Sequence, residues 1–173
     1  MLKKRINKLR KKMKENKINV SLFLSSEPID DSNIQYFTGF RQERYHSFAC
    51  FLVTKNKTTL ILSSLDYDRA TGSEADEILK KDGPLSVMLK SVIKKNQTIG
   101  VIGGMFPYRL SRKFKRIMDI TGAVSEIRSI KEPKEIEMII KACNITNKGI
   151  SFIRKNLQEG ITEKDMALEL ERE

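Results

Sequence analysis

Phe48-Ala-Cys-Phe-Leu-Val-Thr54 and Thr58-Thr-Leu-Ile-Leu-Ser63 are two apolar runs joined by Lys55-Asn56-Lys57. Runs of this length, rich in aromatic and β-branched residues and linked by three polar residues, are the pattern of a β-hairpin. The apolar character is nearly continuous, so both faces of these strands are expected to be buried. Val20–Leu24 (VSLFL) is a third run of the same kind, and Thr98–Ile102 (TIGVI) is a fourth, ended by Gly103-Gly104.

Between and around these runs the period changes from that of a strand to that of a helix. Leu2, Ile6, Leu9 and Met13 put one apolar stripe on a helix over Leu2–Asn16. Ser32 caps a short turn carrying Ile34, Tyr36 and Phe37, which ends at Gly39. Leu65–Thr71 reads as a helical turn before Gly72. Pro84 opens a helix with Leu85, Met88, Leu89, Val92 and Ile93 on one face. Pro107 is expected to open another, with Leu110, Phe114, Ile117 and Met118 inward, and Ala123–Ile127 reads as an edge strand. Alternating strands and helices predict an α/β fold for residues 1–127, a mixed sheet flanked by helices.

The pattern then changes. A long helix is predicted from Pro133 to Leu157, with Ile136, Ile139, Ile140, Cys143, Ile150 and Ile153 on its apolar face. Gly160 breaks it, and Thr162 with Asp165 forms a capping box for a second helix reaching Glu173. Residues 131–173 therefore read as the opening helices of a further unit, whose apolar faces need a surface to cover.

Composition bounds the function. The 173 residues are 39% hydrophobic and 32% charged, which excludes a disordered chain and a membrane-spanning one. The first 17 residues hold no apolar core of a secretory signal, and Cys50 and Cys143 have no framework spacing, so a cytoplasmic location is expected. There is one histidine, which excludes a His-rich metal site built from this sequence alone. Net charge is +11, of which residues 1–17 carry +8 through nine Lys or Arg against Glu15. Such an arm suits nucleic acid or an acidic membrane. Here the cations lie off the apolar stripe and no aromatic is interleaved to stack a base, so a Lys-rich solvent face is expected instead, with no nucleic-acid or membrane role.

Few constellations suggest chemistry. Asp66 and Asp68 are the closest carboxylate pair after a strand, but a hard-cation site needs several more oxygens, and a helix cap is the expected role. Asp30-Asp31 reads the same way. Gly100-Val-Ile-Gly103-Gly104 follows a strand and precedes a helix but matches no phosphate-loop fingerprint, so a tight turn is expected. Cys50 lies in an apolar strand and is expected to be inert. Arg41–Ser47 (RQERYHS) gathers Arg41, Arg44, Tyr45 and His46, groups able to grip a carboxylate or a peptide terminus; an exposed polar connection is the alternative. On the residues alone, the chain is a binding or scaffold domain.

Three stretches carry a resemblance. Asn33-Ile-Gln-Tyr-Phe-Thr-Gly-Phe40 is close to the N-hydrophobic-x-Y-L-T-G-F signature of the creatinase/prolidase/Xaa-Pro aminopeptidase family. The first helix, VSLFLSS and FACFLVT surround it in the family's order. Arg128-Ser-Ile-Lys-Glu-Pro-Lys-Glu-Ile-Glu-Met-Ile-Ile-Lys-Ala142 resembles the family's R-x-I-K-S-P-E-E-I-x-x-I-R-x-A passage into its catalytic domain, and Glu159–Glu163 its P-G-x-T-E turn.

The resemblance implies a ribonuclease-H-like creatinase N-terminal domain, here 1–127, followed at 128–173 by a linker and the first two helices of a pita-bread catalytic domain. It implies a role in dimerisation and substrate access for a metal-dependent Xaa-Pro aminopeptidase or dipeptidase, a homodimer acting on short proline-containing peptides. In the family two divalent metals, here Mn or Co, sit on two Asp, one His and two Glu, and a bridging hydroxide attacks the Xaa-Pro bond. None of those ligands matches a position in this sequence, so no catalytic or metal residue is assigned. The loop after the TGF turn tends to reach the partner's active site in the family, which makes Arg41, Arg44, Tyr45 and His46 the substrate-binding candidates. A non-catalytic peptide- or protein-binding module of the same fold, as in histone-chaperone relatives, is the alternative.

Overall fold

The computed structural model describes residues 2–26, 32–41, 48–70 and 72–172. The chain divides into two compact units, Met1–Ser129 and Ile130–Glu173.

The first unit is built on one mixed sheet. Among the described residues its strands are β1 (Val20–Ser26), β2 (Phe48–Thr54), β3 (Thr58–Leu62), β4 (Glu77–Lys80), β5 (Thr98–Val101) and β6 (Arg116–Asp119), in the order β4-β3-β2-β1-β5-β6. The β1–β2 and β2–β3 pairs are antiparallel, with Phe23 opposite Phe51 and Cys50 opposite Ile61; the outer pairs are parallel. The helices are α1 (Leu2–Glu15), α2 (Ser32–Thr38), α3 (Ser64–Tyr67), α4 (Leu85–Val92), α5 (Tyr108–Ser111) and α6 (Thr121–Ser129).

The strands alternate between two apolar layers, as a period of two requires. Ala49, Phe51 and Val53 join Phe23, Leu60 and Leu62 beneath α1, α2 and α6. Cys50 and Leu52 join Leu22, Ile61 and Ile99 beneath α4. Burial on both faces is why β2 and β3 read as unbroken apolar runs. Ile6, Leu9 and Met13 of α1 are buried as expected.

Arg5, however, is buried as well, at 6% exposure, although the cations were expected in solvent. It tolerates burial because its guanidinium lies over the Tyr36 ring and donates to the Tyr36 carbonyl.

The sheet corrects three other expectations. The helix opened by Pro107 lasts one turn, α5, and Arg116–Asp119, expected on that helix, forms the edge strand β6. Residues 123–127, expected as an edge strand, lie in α6, whose Val124 and Ile127 are buried one turn apart. β4 carries no sequence signal beyond Ile78-Leu79 and forms by pairing parallel to β3.

The second unit contains α7 (Pro133–Asn156) and α8 (Glu163–Arg172). The Glu132 amide donates to the Glu135 carboxylate at 2.9 Å, and the Asp165 amide to the Thr162 hydroxyl at 3.1 Å, so each helix starts on a side-chain cap. Ile136, Ile139, Ile140 and Ile150 of α7 are 45–54% exposed.

Candidate functional site

The site is built outward from α2. Its sequence, Ser32-Asn-Ile-Gln-Tyr-Phe-Thr38, buries Ile34 and Phe37 in the core, with Phe37 packed against Phe23 at a centroid distance of 5.2 Å. The helix then ends sharply. Thr38 Oγ1 donates to the Ile34 carbonyl and accepts from the Phe40 amide, while the Gly39 amide donates to Gln35. Gly39 sits at φ +75°, a left-handed cap that a side chain would strain, and a Cβ there would come within 3.2 Å of Leu2 Cδ1. Phe40 returns to the core, and Arg41 follows directly as an exposed residue. The TGF turn thus fixes the point at which Arg41 reaches the surface.

Behind α2 the polar positions of the same motif meet two arginines. Arg128, in the last turn of α6, donates from Nη1 to Asn33 Oδ1 at 2.6 Å and to Ser32 Oγ at 3.1 Å. The guanidinium carbons of Arg5 and Arg128 lie 4.1 Å and 5.2 Å from the centroid of the Tyr36 ring. Arg5 also donates to the Tyr36 carbonyl at 2.7 Å. Hydrogen bonds to a charged donor and cations over one aromatic ring lock α1, α2 and α6 together. Asn33 and Arg128 each open one of the stretches that carry the family resemblance, yet the two residues lie 95 positions apart. Only the fold reveals the contact.

Of the expected substrate-binding residues, the structure places Arg41 at the mouth of the TGF turn. Arg44, Tyr45 and His46 lie outside the described residues. Asp66 is buried inside α3, where its carboxylate accepts from Ser63 Oγ at 3.1 Å, a local contact at the start of the helix. The Gly103 amide donates to the Asp119 carboxylate at 3.1 Å, so the amide a phosphate loop would use is already occupied. The Thr121 hydroxyl and amide and then Gly103 hold the Asp119 carboxyl below its usual range. Burial pushes the Cys50 thiol up, away from the thiolate a nucleophile needs. Among the described residues no group of three or more His, Cys, Asp or Glu side chains could hold a metal ion, and no helix is long and apolar enough to cross a membrane.

The sequence model of the Creatinase/Prolidase N-terminal domain matches residues 5–130. The Xaa-Pro dipeptidase of Pyrococcus furiosus is 27% identical over 98% of this chain and 47% of its own length. The solved prolidase from Pyrococcus furiosus superposes with a TM-score of 0.78 at 26% identity, covering 96% of this chain and 51% of that one. The solved creatinase-type domain of a dipeptidase from Streptococcus thermophilus, at 16% identity, shares the fold with a TM-score of 0.56; the match covers 71% of this chain and 97% of that one. The chain spans about half the length of the curated relatives it matches.

Proposed function

The chain belongs to the Creatinase/Prolidase N-terminal domain family, and from that premise we propose that it serves a cytoplasmic Xaa-Pro dipeptidase or aminopeptidase as its dimerisation and substrate-access domain. The observation that carries this reading is the likeness to a Xaa-Pro dipeptidase along 98% of the chain, through α/β unit and helical unit alike. The described residues do not fit the two divalent ions, Mn or Co, that such an activity would use. In this reading those ions sit on residues beyond these 173, and no step of the hydrolysis is assigned to this chain.

What this chain contributes is position. A short peptide with a proline ring carries a charged terminus that must be met on entering a narrow site. Arg41 leaves the domain from a rigid turn, backed by the Arg5–Tyr36–Arg128 cluster. A segment held that firmly at its root can present guanidinium groups, with Arg44, Tyr45 and His46 beside them, to a partner subunit's site without large entropic cost.

The test is hydrolysis of Ala-Pro and Ala-Pro-Ala by the complete gene product with Mn²⁺ or Co²⁺, beside the 173-residue chain alone. Cleavage by the first and none by the second is expected. A complete product that binds such peptides and leaves them intact under both metals would point to a non-catalytic binding module.

A further inference from the structure

Between Asp82 and Asp119 the chain runs for 36 residues without an acidic side chain and with eight Lys or Arg, so this stretch carries +8. Residues 1–17 also carry +8, which leaves the other 120 residues at −5. The two blocks lie on opposite faces of the sheet, since α1 packs in the apolar layer of Phe23 and Phe51 and α4 in that of Leu22 and Leu52.

They also differ in compensation. On α1, Lys12 pairs with Glu126 at 2.8 Å and with Glu15 at 3.7 Å. In the second block, Lys90, Lys94, Lys95, Lys113 and Lys115 line a cleft of about 480 Å³. All five are exposed, and none has an ion-pair partner among the described residues.

The cleft is ordered by its own turn. The Lys94 backbone amide donates to Gln97 Oε1 at 2.8 Å, and the Gln97 backbone amide donates to the Lys94 carbonyl at 3.1 Å. Ile93, buried, and Phe114, half-buried, supply its apolar lining. Five ammonium groups held together without counter-charge repel one another, and a bound polyanion relieves that repulsion.

The residue type identifies the polyanion. Lysine is depleted from protein–protein interfaces, whereas nucleic-acid interfaces are polar and strongly positive. Lysines act as point charges on flexible stems; they meet phosphates without reading bases. A cleft of about 480 Å³ with an apolar lining suits a nucleotide-sized piece of one strand, whose unpaired base can meet Phe114. We infer that it binds the phosphate backbone of single-stranded nucleic acid without sequence preference, with Phe114 available to a base. This surface is separate from α1, on which the absence of a nucleic-acid role was expected, and it does not depend on the peptidase reading.

The experiment is fluorescence anisotropy of a fluorescein-labelled 20-nucleotide single strand of mixed sequence, titrated with the 173-residue chain at 50 and 200 mM salt. Micromolar binding is expected, with log K falling against log salt at a slope of about −3.5 for five contacts. The variant K94E/K95E/K115E should bind at least about tenfold more weakly with a slope flatter by about two. The variant K4E/K8E/K11E on α1 should keep the wild-type slope. If the charge reversals disturb the thermal melt, K94Q/K95Q/K115Q gives the same readout. No binding at 50 mM salt, equal affinity of the cleft variant and wild type, or an equal loss on α1 would each overturn the inference. So would tighter binding to vesicles containing 30% phosphatidylserine that the cleft variant abolishes, since the surface would then be a membrane one.

Discussion

Arg128 donates from Nη1 to Asn33 Oδ1 at 2.6 Å, and Asn33 is only 8% exposed. A hydrogen bond from a guanidinium to a buried amide is worth about 1.5–3 kcal/mol, and losing one partner leaves the other desolvated. Asn33→Ala should therefore lower stability by about 2 kcal/mol, and Arg128→Ala by about 2–3 kcal/mol because its place over Tyr36 goes too. Urea denaturation of both single variants and the double one gives the coupling, expected at about 1 kcal/mol or more. Additive losses would mean that the two residues act independently.

The first helix yields a sharper contrast. Leu9, on the inner face of α1, is 1% exposed, and Lys4, Lys8 and Lys11 face solvent. Leu9→Ala should cost about 2–4 kcal/mol, and Lys8→Glu no more than about 0.5 kcal/mol. Thermal or urea melts decide it; a larger effect at Lys8 would mean the helix is turned the other way.

The elements legible in the sequence are those whose period is enforced by burial. β1, β2 and β3 are apolar because both faces are covered, and α1 shows its stripe because Ile6, Leu9 and Met13 touch the sheet. The elements that misled are exposed or short. β6 is exposed along its whole length, so its Ile117 and Met118 fell into helical step with Leu110 and Phe114, and nothing local distinguished the two. α6 betrays itself by Asp119, whose carboxylate accepts the Thr121 amide at 2.8 Å, a helix-start signal two residues upstream of Thr121. The arginine cluster behind α2 was illegible for a different reason: Arg5, Tyr36 and Arg128 meet only in three dimensions, and a buried arginine among nine cations of a basic segment has no mark in the sequence.

Acid should weaken the sheet edge. Asp76 accepts from the Thr58 hydroxyl at 2.8 Å and amide at 2.7 Å, and these bonds first, with Arg10 and Lys3 adding charge, hold its carboxyl below the usual range. A carboxyl lowered on folding adds stability above its unfolded value, near 4, and that stability fades as pH falls through the lower folded value. Urea midpoints should drop from pH 6 to pH 3, and Asp76→Asn should make that drop shallower. An unchanged slope in the variant would remove Asp76 from the acid response.

Gly100 in β5 has no room for a side chain. A Cβ would lie 2.7 Å from Ile120 Cγ2 and 3.2 Å from Ile18 Cγ2. Gly100→Ala should cost about 1–3 kcal/mol through overpacking, and Ile120→Leu, which removes the branch methyl, should recover part of it. Gly104, with nothing within 4 Å of its Cβ position, is the control: Gly104→Ala should stay within about 0.5 kcal/mol. Equal effects at the two glycines would contradict the packing of β5 against Ile120.

The proposed substrate-facing role rests on Arg41 and the three side chains that follow it, Arg44, Tyr45 and His46. Arg41 is exposed one residue after Phe40 enters the core, so its backbone is fixed while its guanidinium is free to meet a ligand. In the complete enzyme, a guanidinium gripping a peptide carboxylate contributes about 1.5–3 kcal/mol, so Arg41→Ala or Arg44→Ala should lower kcat/KM roughly tenfold to a hundredfold. Tyr45→Ala should act through the proline ring it can cover, and therefore affect Xaa-Pro substrates more than others. His46→Ala should alter the pH dependence of kcat/KM between about pH 5 and 8, where an imidazole changes charge. Stability should be unaffected by Arg41→Ala, because Arg41 is exposed, and the substrate-facing reading expects the same of the other three. A merely structural loop would give the opposite pattern, with melts shifted and substrate preference kept. If all four variants retain wild-type rates and preference, the segment after the TGF turn is a surface connection, and recognition of the peptide terminus belongs to the catalytic domain alone.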